Sequence, residues 1–292
     1  YFLKRDMDAL DLFIGSEGTL GVFSEMELKL VEEPEKLMSG FVFFQVENSL
    51  LDFAAQARYA LKSNLHLNYS SINEPAPRVL EYFDGNSLNF IQKNNSGIPE
   101  DACGAIWFEQ EYSSEHEDEL LEKWSALIYK YTPLADDTWL SAGSEKYRER
   151  IRELRHSLPL AVNERLVLEN LKKIGTDTAV PDEKFRSYFF FLHSEIRKTG
   201  LDHYIFGHIG NCHVHANVFA GTESEITRGR EFYRKCIDKA LEMKGTISAE
   251  HGIGKIKKQY LRQMYPPEVI EKMKEIKRRL DPDFLLGRGN LF

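Results

Sequence analysis

Apolar and polar side chains alternate with a period of two along several stretches of the chain, and each such stretch predicts a strand. Residues 22–30 alternate in this way after a glycine-rich turn at residues 15–21, as a half-buried strand would. Residues 31–34 read Val-Glu-Glu-Pro and break the pattern, which predicts a domain boundary. Further strands are predicted at residues 38–46, 67–72, 104–112, 134–140, 173–180, 203–209, 213–219 and 245–248.

Longer stretches between these strands have apolar residues at helical spacing. Pro181 suits the first turn of a helix, whereas Pro159 should end the helix before it. The helices are grouped, and long connections separate the strands. This organisation favours an α+β fold, an antiparallel sheet with helices packed on one face, over a parallel doubly wound sheet. The predicted helices are residues 49–61, 114–131, 144–157, 181–199, 224–243, 255–264 and 267–280.

Composition narrows the class of protein. The 292 residues suffice for one large or two modest domains, and 42% hydrophobic with 29% charged residues indicate a globular protein. A formal net charge of −8 argues against a nucleic-acid partner, and no apolar run approaches membrane-spanning length. Three cysteines form no paired framework, so we expect a cytoplasmic location, free or at the face of the inner membrane. The chain begins at Tyr1 within an amphipathic segment, so we expect a fragment.

Candidate chemistry is concentrated in two short glycine-bounded stretches, 204–217 and 248–254. In a strand, His213, His215 and Asn217 would share one face. A tight turn after His208 would return the chain towards His215. Together with a carboxylate, neutral imidazoles suit zinc, manganese or iron.

The second stretch adds the carboxylate of Glu250 and the imidazole of His251. With His208 and His215, Glu250 would complete a set of two histidines and one carboxylate, the arrangement of a catalytic metal site with open positions. Two alternatives remain at this point. The histidine strand could be a solvated surface, and the Glu-His-Gly sequence could serve only to begin a helix.

Three motifs together resemble one family. Phe-Gly-His-Ile-Gly at 206–210 with His-Ala-Asn at 215–217, Ser-Ala-Glu-His-Gly-Ile-Gly at 248–254, and Gly-Ser-Glu-Gly-Thr-Leu-Gly at 15–21 resemble the C-terminal half of FAD-linked 2-hydroxyacid dehydrogenases. These are vanillyl-alcohol-oxidase-type flavoproteins and include D-lactate dehydrogenases, the glycolate oxidase D subunit and D-2-hydroxyglutarate dehydrogenase.

The resemblance implies three regions. Residues 1–31 would be the end of a FAD-binding domain, residues 32–254 a ferredoxin-like substrate (cap) domain, and residues 255–292 a helical segment returning towards the FAD domain. The domain with the main pyrophosphate-binding loop would be missing, so by itself the chain should hold FAD poorly and be inactive.

The resemblance also implies site residues. His208, His215 and Glu250 would bind a divalent metal, zinc or manganese, and His251 would be the general base. Asn217 would contact the substrate. The family pattern Gly-Asp-Gly-Asn-x-His is replaced here by Gly-Asn-Cys-His-Val-His at 210–215, so His213 is an unusual residue that would contact the substrate or lie beside the metal.

Further binding residues follow by resemblance. Arg155 would clamp the substrate carboxylate, since a guanidinium offers parallel donors, although it lies in a helix rich in arginine that could simply be a charged surface. Lys173 would also contact the substrate. The flavin-contacting residues would be Gly15, Ser16, Glu17, Gly18, Thr19 and Gly21.

The function implied is oxidation of a small D-2-hydroxy acid such as lactate, glycolate or 2-hydroxyglutarate. The hydroxyl proton would pass to a base while hydride leaves for FAD. Electrons would then go to a quinone, an electron-transfer protein or an Fe–S partner, and the chain would form a homo-oligomer. Two alternatives from other classes are a metal-dependent hydrolase and a non-catalytic metal-binding or assembly module.

Overall fold

The computed structural model describes residue 1 and residues 5–64, 72–93, 95–141 and 143–292. The chain divides into two compact units. The sheet unit comprises residues 32–176 and 182–236, and the terminal unit comprises residues 1–31, 177–181 and 237–292. One division therefore falls between Val31 and Glu32, within the Val-Glu-Glu-Pro sequence. The later division, after Cys236, lies upstream of the expected boundary at 254/255.

An antiparallel sheet forms the centre of the sheet unit. Its strands, in the described residues, have the order β4-β1-β3-β2-β6-β7-β5, and every pair is antiparallel. The predicted α+β class with an antiparallel sheet is therefore confirmed. The strands are β1 (Lys36–Phe44), β2 (Val79–Asp84), β3 (Gly104–Tyr112), β4 (Trp139–Leu140), β5 (Lys172–Gly175), β6 (His203–Gly207) and β7 (His215–Ala220).

Helices flank these strands along the chain. α7 begins in the sheet unit and ends in the terminal unit. No helix in the described part of the chain is both long and apolar enough to cross a membrane. In order, the helices are α1 (Ala9–Phe13), α2 (Glu47–Asn64), α3 (Gly85–Gln92), α4 (Glu117–Tyr131), α5 (Glu145–Leu168), α6 (Asp182–Lys198), α7 (Glu223–Glu242), α8 (Lys258–Met264) and α9 (Pro267–Leu280).

The sheet is covered on both faces, not on one face as the sequence predicted. On one face, Phe41 and Phe43 form a buried cluster with residues of α3 and α5. On the other, Phe108 stacks on Trp124 of α4 with ring centroids 3.8 Å apart. Because successive strand residues point to opposite faces, and both sets of side chains are buried, helices are required on both sides. Phe44 with Phe53 of α2 and Tyr82 with Phe189 of α6 continue this second layer.

Helix α5 runs from Glu145 to Leu168 and passes through Pro159, so the prediction that it ends before this proline is wrong. Proline removes one backbone hydrogen bond, here the one to the carbonyl of residue 155, and normally breaks a helix. The apolar stripe continues at helical spacing past the proline, and its burial against the sheet offsets the lost bond. The buried residues of this stripe are Ile151, Leu154, Leu158 and Val162.

Other differences concern strands. Residues 22–30 do not form a strand, and Val22, Met26, Leu28 and Leu30 are exposed, because alternation alone supplies no partner for a ladder. Strand β2 and helix α3 were not predicted, since β2 is buried on both faces and shows no alternation. Residues 134–140 form a 3₁₀ turn and the short β4. Of the predicted strand 67–72, residues 67–71 lie outside the described residues.

In the terminal unit, a buried lysine joins segments far apart in the sequence. The Nζ atom of Lys277 on α9 donates to the carbonyl oxygen of Thr19 at 2.6 Å and to that of Leu286 at 2.9 Å. It also pairs with the carboxylate of Asp281. Because a buried ammonium must satisfy its donors, these contacts fix the glycine-rich turn 15–21 against α9.

Candidate active site

The histidine segment is a tight reversal between two paired strands. Phe206 of β6 lies opposite His215 of β7, and residues 209–211 form a 3₁₀ turn between them. The carbonyl of His208 accepts hydrogen bonds from the backbone N–H groups of Asn211 at 2.9 Å and of His213 at 3.2 Å. The reversal predicted after His208 is therefore confirmed, and it brings the three imidazoles of this segment close together.

The three rings lie within a few ångströms of one another. The ring centroids of His213 and His215 are 4.4 Å apart, and each lies 5.7 Å from the centroid of His208. His213 is buried, with 3% of its surface exposed. A solvated strand face, the alternative left open by the sequence, does not describe a buried histidine packed against two others.

Hydrogen bonds define the tautomers of two of these rings. Nδ1 of His215 lies 3.0 Å from the carbonyl oxygen of Thr176, which can only accept, so Nδ1 carries the proton. Nδ1 of His208 lies 3.1 Å from Oε1 of Glu81, and an ionised carboxylate likewise only accepts. In the neutral form, each ring therefore carries its lone pair on Nε2. A carbonyl or carboxylate on the other ring nitrogen is the usual support of a metal-ligating histidine.

Glu81 lies on β2 and was missed by the sequence analysis. It is 5% exposed, and its Oε2 atom lies 2.7 Å from a guanidinium nitrogen of Arg155 on α5. Burial by itself would raise the pKa of Glu81, but the hydrogen bond from His208 and the charge of Arg155 hold that pKa below its ordinary value. The signal in the sequence was a lone carboxylate within the apolar run Val-Leu-Glu-Tyr-Phe at 79–83, because a buried charge needs partners.

The predicted substrate residues have different surroundings from one another. Arg155 contacts a carboxylate of the protein, as described. Asn217 is buried opposite Gly175 in the β7–β5 pair, and a Cβ at Gly175 would lie 2.5 Å from the Asn217 side-chain oxygen. Lys173 is exposed and lies opposite Phe219. Phe219 is four residues beyond His215, ~13 Å along the strand, so Lys173 is not among the residues that surround the histidines.

The terminal unit holds the Glu250–His251 turn on a buried carboxylate, Asp177, which the sequence analysis also missed. Asp177 accepts hydrogen bonds from the backbone N–H groups of Glu250 and His251, both at 3.1 Å, and from the Ser248 hydroxyl at 2.6 Å. It also pairs with the ammonium group of Lys257. Burial opposes ionisation, but Lys257, Ser248 and the Glu250 amide lower the pKa of Asp177 to about 2. The turn is thereby fixed, while the side chains of Glu250 and His251 remain accessible at 41% and 60% exposure.

The glycine-rich turn 15–21 contacts the same loop. Each carboxylate oxygen of Glu17 accepts a hydrogen bond of 2.6 Å from a backbone N–H group, one from Ile253 and the other from Gly254. Gly252 has φ +78°, and a Cβ there would lie 2.9 Å from Glu17 Oε1, so only glycine fits without displacement. Two motifs separated by more than 230 residues thus form one structure within the terminal unit.

A cavity of about 620 Å³ opens in the terminal unit beside these two motifs. It is lined by Gly15 and Glu17 from the first motif and by Glu250 and His251 from the second. This volume is within the range of cofactor and ligand pockets, roughly 300–1,000 Å³.

The remaining predicted flavin residues shape the turn itself. Ser16 and Thr19 are buried, and the Thr19 hydroxyl donates to the Ser16 carbonyl at 2.6 Å. Gly18 has φ +67°, and a Cβ on Gly21 would lie 3.4 Å from the Phe13 ring. These contacts hold the turn in the conformation that places Gly15 and Glu17 at the cavity.

Comparison with known proteins agrees with the motifs. The sequence model of the family described as FAD linked oxidases, C-terminal domain, matches residues 65–291. The chain is 28% identical to glycolate oxidase subunit GlcD of Bacillus subtilis over 99% of this chain and 59% of that protein. It is 27% identical to a probable mitochondrial D-lactate dehydrogenase of Danio rerio, over 96% and 53%, and 26% identical to a D-2-hydroxyglutarate dehydrogenase of Xanthomonas citri pv. viticola, over 98% and 57%. The chain thus spans little more than half the length of these relatives, and the resemblance read from the three motifs is confirmed.

Solved structures share the fold. 4-Ethylphenol oxidase from Gulosibacter chungangensis superposes with a TM-score of 0.62 at 11% identity, covering 90% of this chain and 55% of that one. p-Cresol methylhydroxylase gives a TM-score of 0.59 at 11% identity, covering 89% and 53%. At this identity the likeness concerns the fold alone.

Proposed function

Since this chain belongs to the family of FAD linked oxidases, C-terminal domain, we propose that it is the substrate-side part of a flavin-dependent dehydrogenase of small D-2-hydroxy acids. Relatives named for glycolate, D-lactate and D-2-hydroxyglutarate support this substrate class. The observation that carries the proposal is the pair of histidines, His208 and His215, whose Nδ1 atoms are both occupied by acceptors of the protein.

The donor set fits a divalent metal. His208 and His215 would hold it through Nε2. Imidazole nitrogen suits zinc, and a carboxylate such as that of Glu250 would suit manganese. A bound metal would lower the pKa of the substrate hydroxyl and orient it. The ligand role of Glu250 rests on the resemblance of its motif, and it stays a prediction.

The terminal unit also fits part of a flavin. Its cavity is lined by two motifs that backbone hydrogen bonds to Glu17 hold together, and FAD bound there would accept the hydride that leaves C2 of the substrate. His251, on the same cavity, is the proposed base. It would take the hydroxyl proton as the carbonyl forms, so that proton and hydride together carry away the two hydrogens and two electrons of an alcohol oxidation. Asp177 would keep the main chain of this base in place.

Other roles stay predictions. Asn217 and His213, both buried, would contact the substrate. The resemblance implies the same role for Lys173, and it implies that Arg155 clamps the substrate carboxylate. Electrons would pass from the flavin to a quinone, an electron-transfer protein or an Fe–S partner, and a homo-oligomer would form.

Anaerobic flavin reduction tests the proposal. The natural protein, loaded with FAD and with Zn²⁺ or Mn²⁺, should lose its oxidised-flavin absorbance when glycolate, D-lactate or D-2-hydroxyglutarate is added. L-Lactate is the control for the configuration at C2, and His251→Asn should retain the flavin yet reduce it at least ~100-fold more slowly. Absence of reduction with every 2-hydroxy acid would overturn the proposal. Hydrolytic turnover without flavin would support the hydrolase alternative instead.

A further inference from the structure

We propose that Glu81 is a positioning residue of the histidine site, and that Arg155 anchors the Glu81 carboxylate instead of clamping the substrate. The inference rests on the proposed function for the metal at His208 and His215. It adds a residue that no motif indicated, and it gives Arg155 a role other than the one its sequence context suggested.

The position of Glu81 makes it a rigid support. It lies on β2 opposite Trp107 of β3, and the next two residues of β2 pair with both β3 and β6, so its backbone is fixed within the sheet. Its side chain is buried, at 5% exposure, and His208 directly follows the paired strand β6. A residue on a central strand is placed more accurately than one on a loop.

Each oxygen of this carboxylate has a separate partner. Oε1 lies 3.1 Å from Nδ1 of His208, and Oε2 lies 2.7 Å from a guanidinium nitrogen of Arg155. The His208 contact sets the tautomer that leaves the lone pair on Nε2. The ion pair with Arg155 opposes rotation of the carboxylate away from His208, because a buried carboxylate is unfavourable without its cation.

The arginine is poorly placed to act mainly on a substrate. Its side chain is 16% exposed, and its nearest nitrogen forms an ion pair with Oε2 of Glu81 at 2.7 Å. Withdrawing it towards a substrate carboxylate would leave Glu81 buried without its cation, which is unfavourable. The geometry thus links Arg155 to the proposed metal ligand His208 through Glu81.

A matched control lies on the neighbouring strand. Glu109 of β3 is also buried, at 6% exposure, and its ion-pair partner is Arg78, with nitrogen and oxygen 3.7 Å apart. Trp107 lies opposite Glu81, so Glu109, two residues further on, faces the same side of the sheet. Removing its charge tests the effect of losing a buried carboxylate that does not support His208.

The first experiment needs no metal. Correlation of the imidazole ¹⁵N and ¹H signals in the metal-free chain should show His208 protonated on Nδ1. In Glu81→Gln the signals should move towards a mixture of the two tautomers, whereas Glu109→Gln should leave them unchanged. A His208 protonated on Nε2 in the unaltered chain, or one unaffected by Glu81→Gln, would overturn the inference.

The second experiment measures Zn²⁺ affinity by titration calorimetry. Loss of the group that supports a ligating histidine typically costs roughly 10–100-fold in metal affinity, and we expect that range for Glu81→Gln. Arg155→Met should also weaken Zn²⁺ binding, and the double variant should lose less than the product of the two effects because the residues act in one chain of contacts. Glu109→Gln should bind Zn²⁺ as the unaltered chain does.

The outcomes distinguish a failure of the proposed metal site from a failure of the role proposed for Glu81 and Arg155. If the unaltered chain binds no Zn²⁺, the metal part of the proposed function fails, while the tautomer measurement still decides the role of Glu81. If Zn²⁺ binds and Arg155→Met leaves its affinity unchanged but raises only the KM of the loaded natural protein, Arg155 is a substrate clamp and the inference fails. Should Glu81→Gln not fold, as judged by circular dichroism, Glu81→Asp keeps the charge but withdraws the carboxylate from His208, and it should weaken Zn²⁺ binding as well.

Discussion

Gly207 approaches His215 so closely that a Cβ on Gly207 would lie 2.9 Å from Cδ2 of the imidazole. Gly207 also has φ +125°, a conformation that side chains with a Cβ rarely adopt. Gly207 therefore determines where a proposed metal ligand lies, although in the sequence it is an ordinary glycine at the end of a strand.

The substitution Gly207→Ala should displace His215 as well as strain the backbone. We expect a loss of about 1–3 kcal/mol in the free energy of unfolding, measured by urea denaturation, together with weaker Zn²⁺ binding. Gly200→Ala is the control, because Gly200 has φ +62° and a Cβ there would meet no heavy atom within 4 Å. It should show only the cost of the backbone conformation, with Zn²⁺ affinity unchanged; equal effects on Zn²⁺ would contradict the role given to Gly207.

Removal of the Asp177 charge should strongly destabilise the terminal unit. Asp177→Asn leaves the buried ammonium group of Lys257 without its counterion, and breaking a buried pair in this way costs about 3–5 kcal/mol. Thermal or urea unfolding measures the loss. The double variant Asp177→Asn, Lys257→Met removes both charges and should regain most of the stability. If the double variant is no more stable than the single one, the loss comes from the hydrogen bonds to Ser248, Glu250 and His251 instead.

Loss of the Glu17 carboxylate should loosen the loop that it holds. In Glu17→Ala the backbone N–H groups of Ile253 and Gly254 lose their acceptor, which should lower the free energy of unfolding by about 1–3 kcal/mol. Amide hydrogen exchange at these two residues should accelerate. Glu17→Gln keeps one oxygen and should lie between Glu17→Ala and the unaltered chain. Unchanged exchange in Glu17→Ala would show that the loop is fixed by Asp177 alone.

A buried histidine in the sheet unit should make the fold sensitive to mild acid. His193 contacts the Tyr82 hydroxyl through Nε2 at 3.3 Å and lies 3.6 Å from the Glu47 carboxylate through Nδ1. Burial, with the charges of Arg197 and His203, lowers the pKa of His193 from 6.5 to about 3. Between these two values the unfolded chain takes up a proton at this residue and the folded chain does not, so stability is present above pH 6.5 and is lost as the pH falls.

Urea denaturation at about pH 7 and about pH 5 tests this dependence. The contribution of His193 should fall by about 2 kcal/mol between these values, and His193→Gln should remove that part of the decrease. His156→Gln, at an exposed position of α5, is the control and should keep the dependence of the unaltered chain. An identical decrease in His193→Gln would show that other groups cause the acid sensitivity.

Elements with a local pattern were predictable from the amino-acid sequence. Strand β3 and helix α9 have the predicted bounds, Gly104–Tyr112 and Pro267–Leu280, because turn residues, a proline at the helix start and a regular apolar period all act within a few residues. The α+β class followed from the same signals. The three motifs likewise identified the family, since they depend on residue type and spacing and not on packing.

Features that depend on partners far away in the sequence were not predictable and follow from how the chain packs. Helix α5 continues through Pro159 because its apolar stripe is buried against the sheet, whereas residues 22–30 lack strand pairing despite their alternation. Strand β2 was not predicted, because both of its faces are covered and its apolar and polar residues therefore do not alternate. With β2 unrecognised, Glu81 could not be assigned to the site.

The candidate site shows the same division. Histidines 208, 213 and 215 and the Glu250–His251 pair were recognisable from residue type and local spacing. The carboxylates that support them, Glu81 and Asp177, come from segments 127 residues before His208 and 73 residues before Glu250. The local sequence indicates which side chains can act as a ligand or a base. It does not indicate the partner that sets the tautomer of a histidine or holds its main chain. That partner depends on the fold, because a buried carboxylate is stable only where the fold brings donors to it.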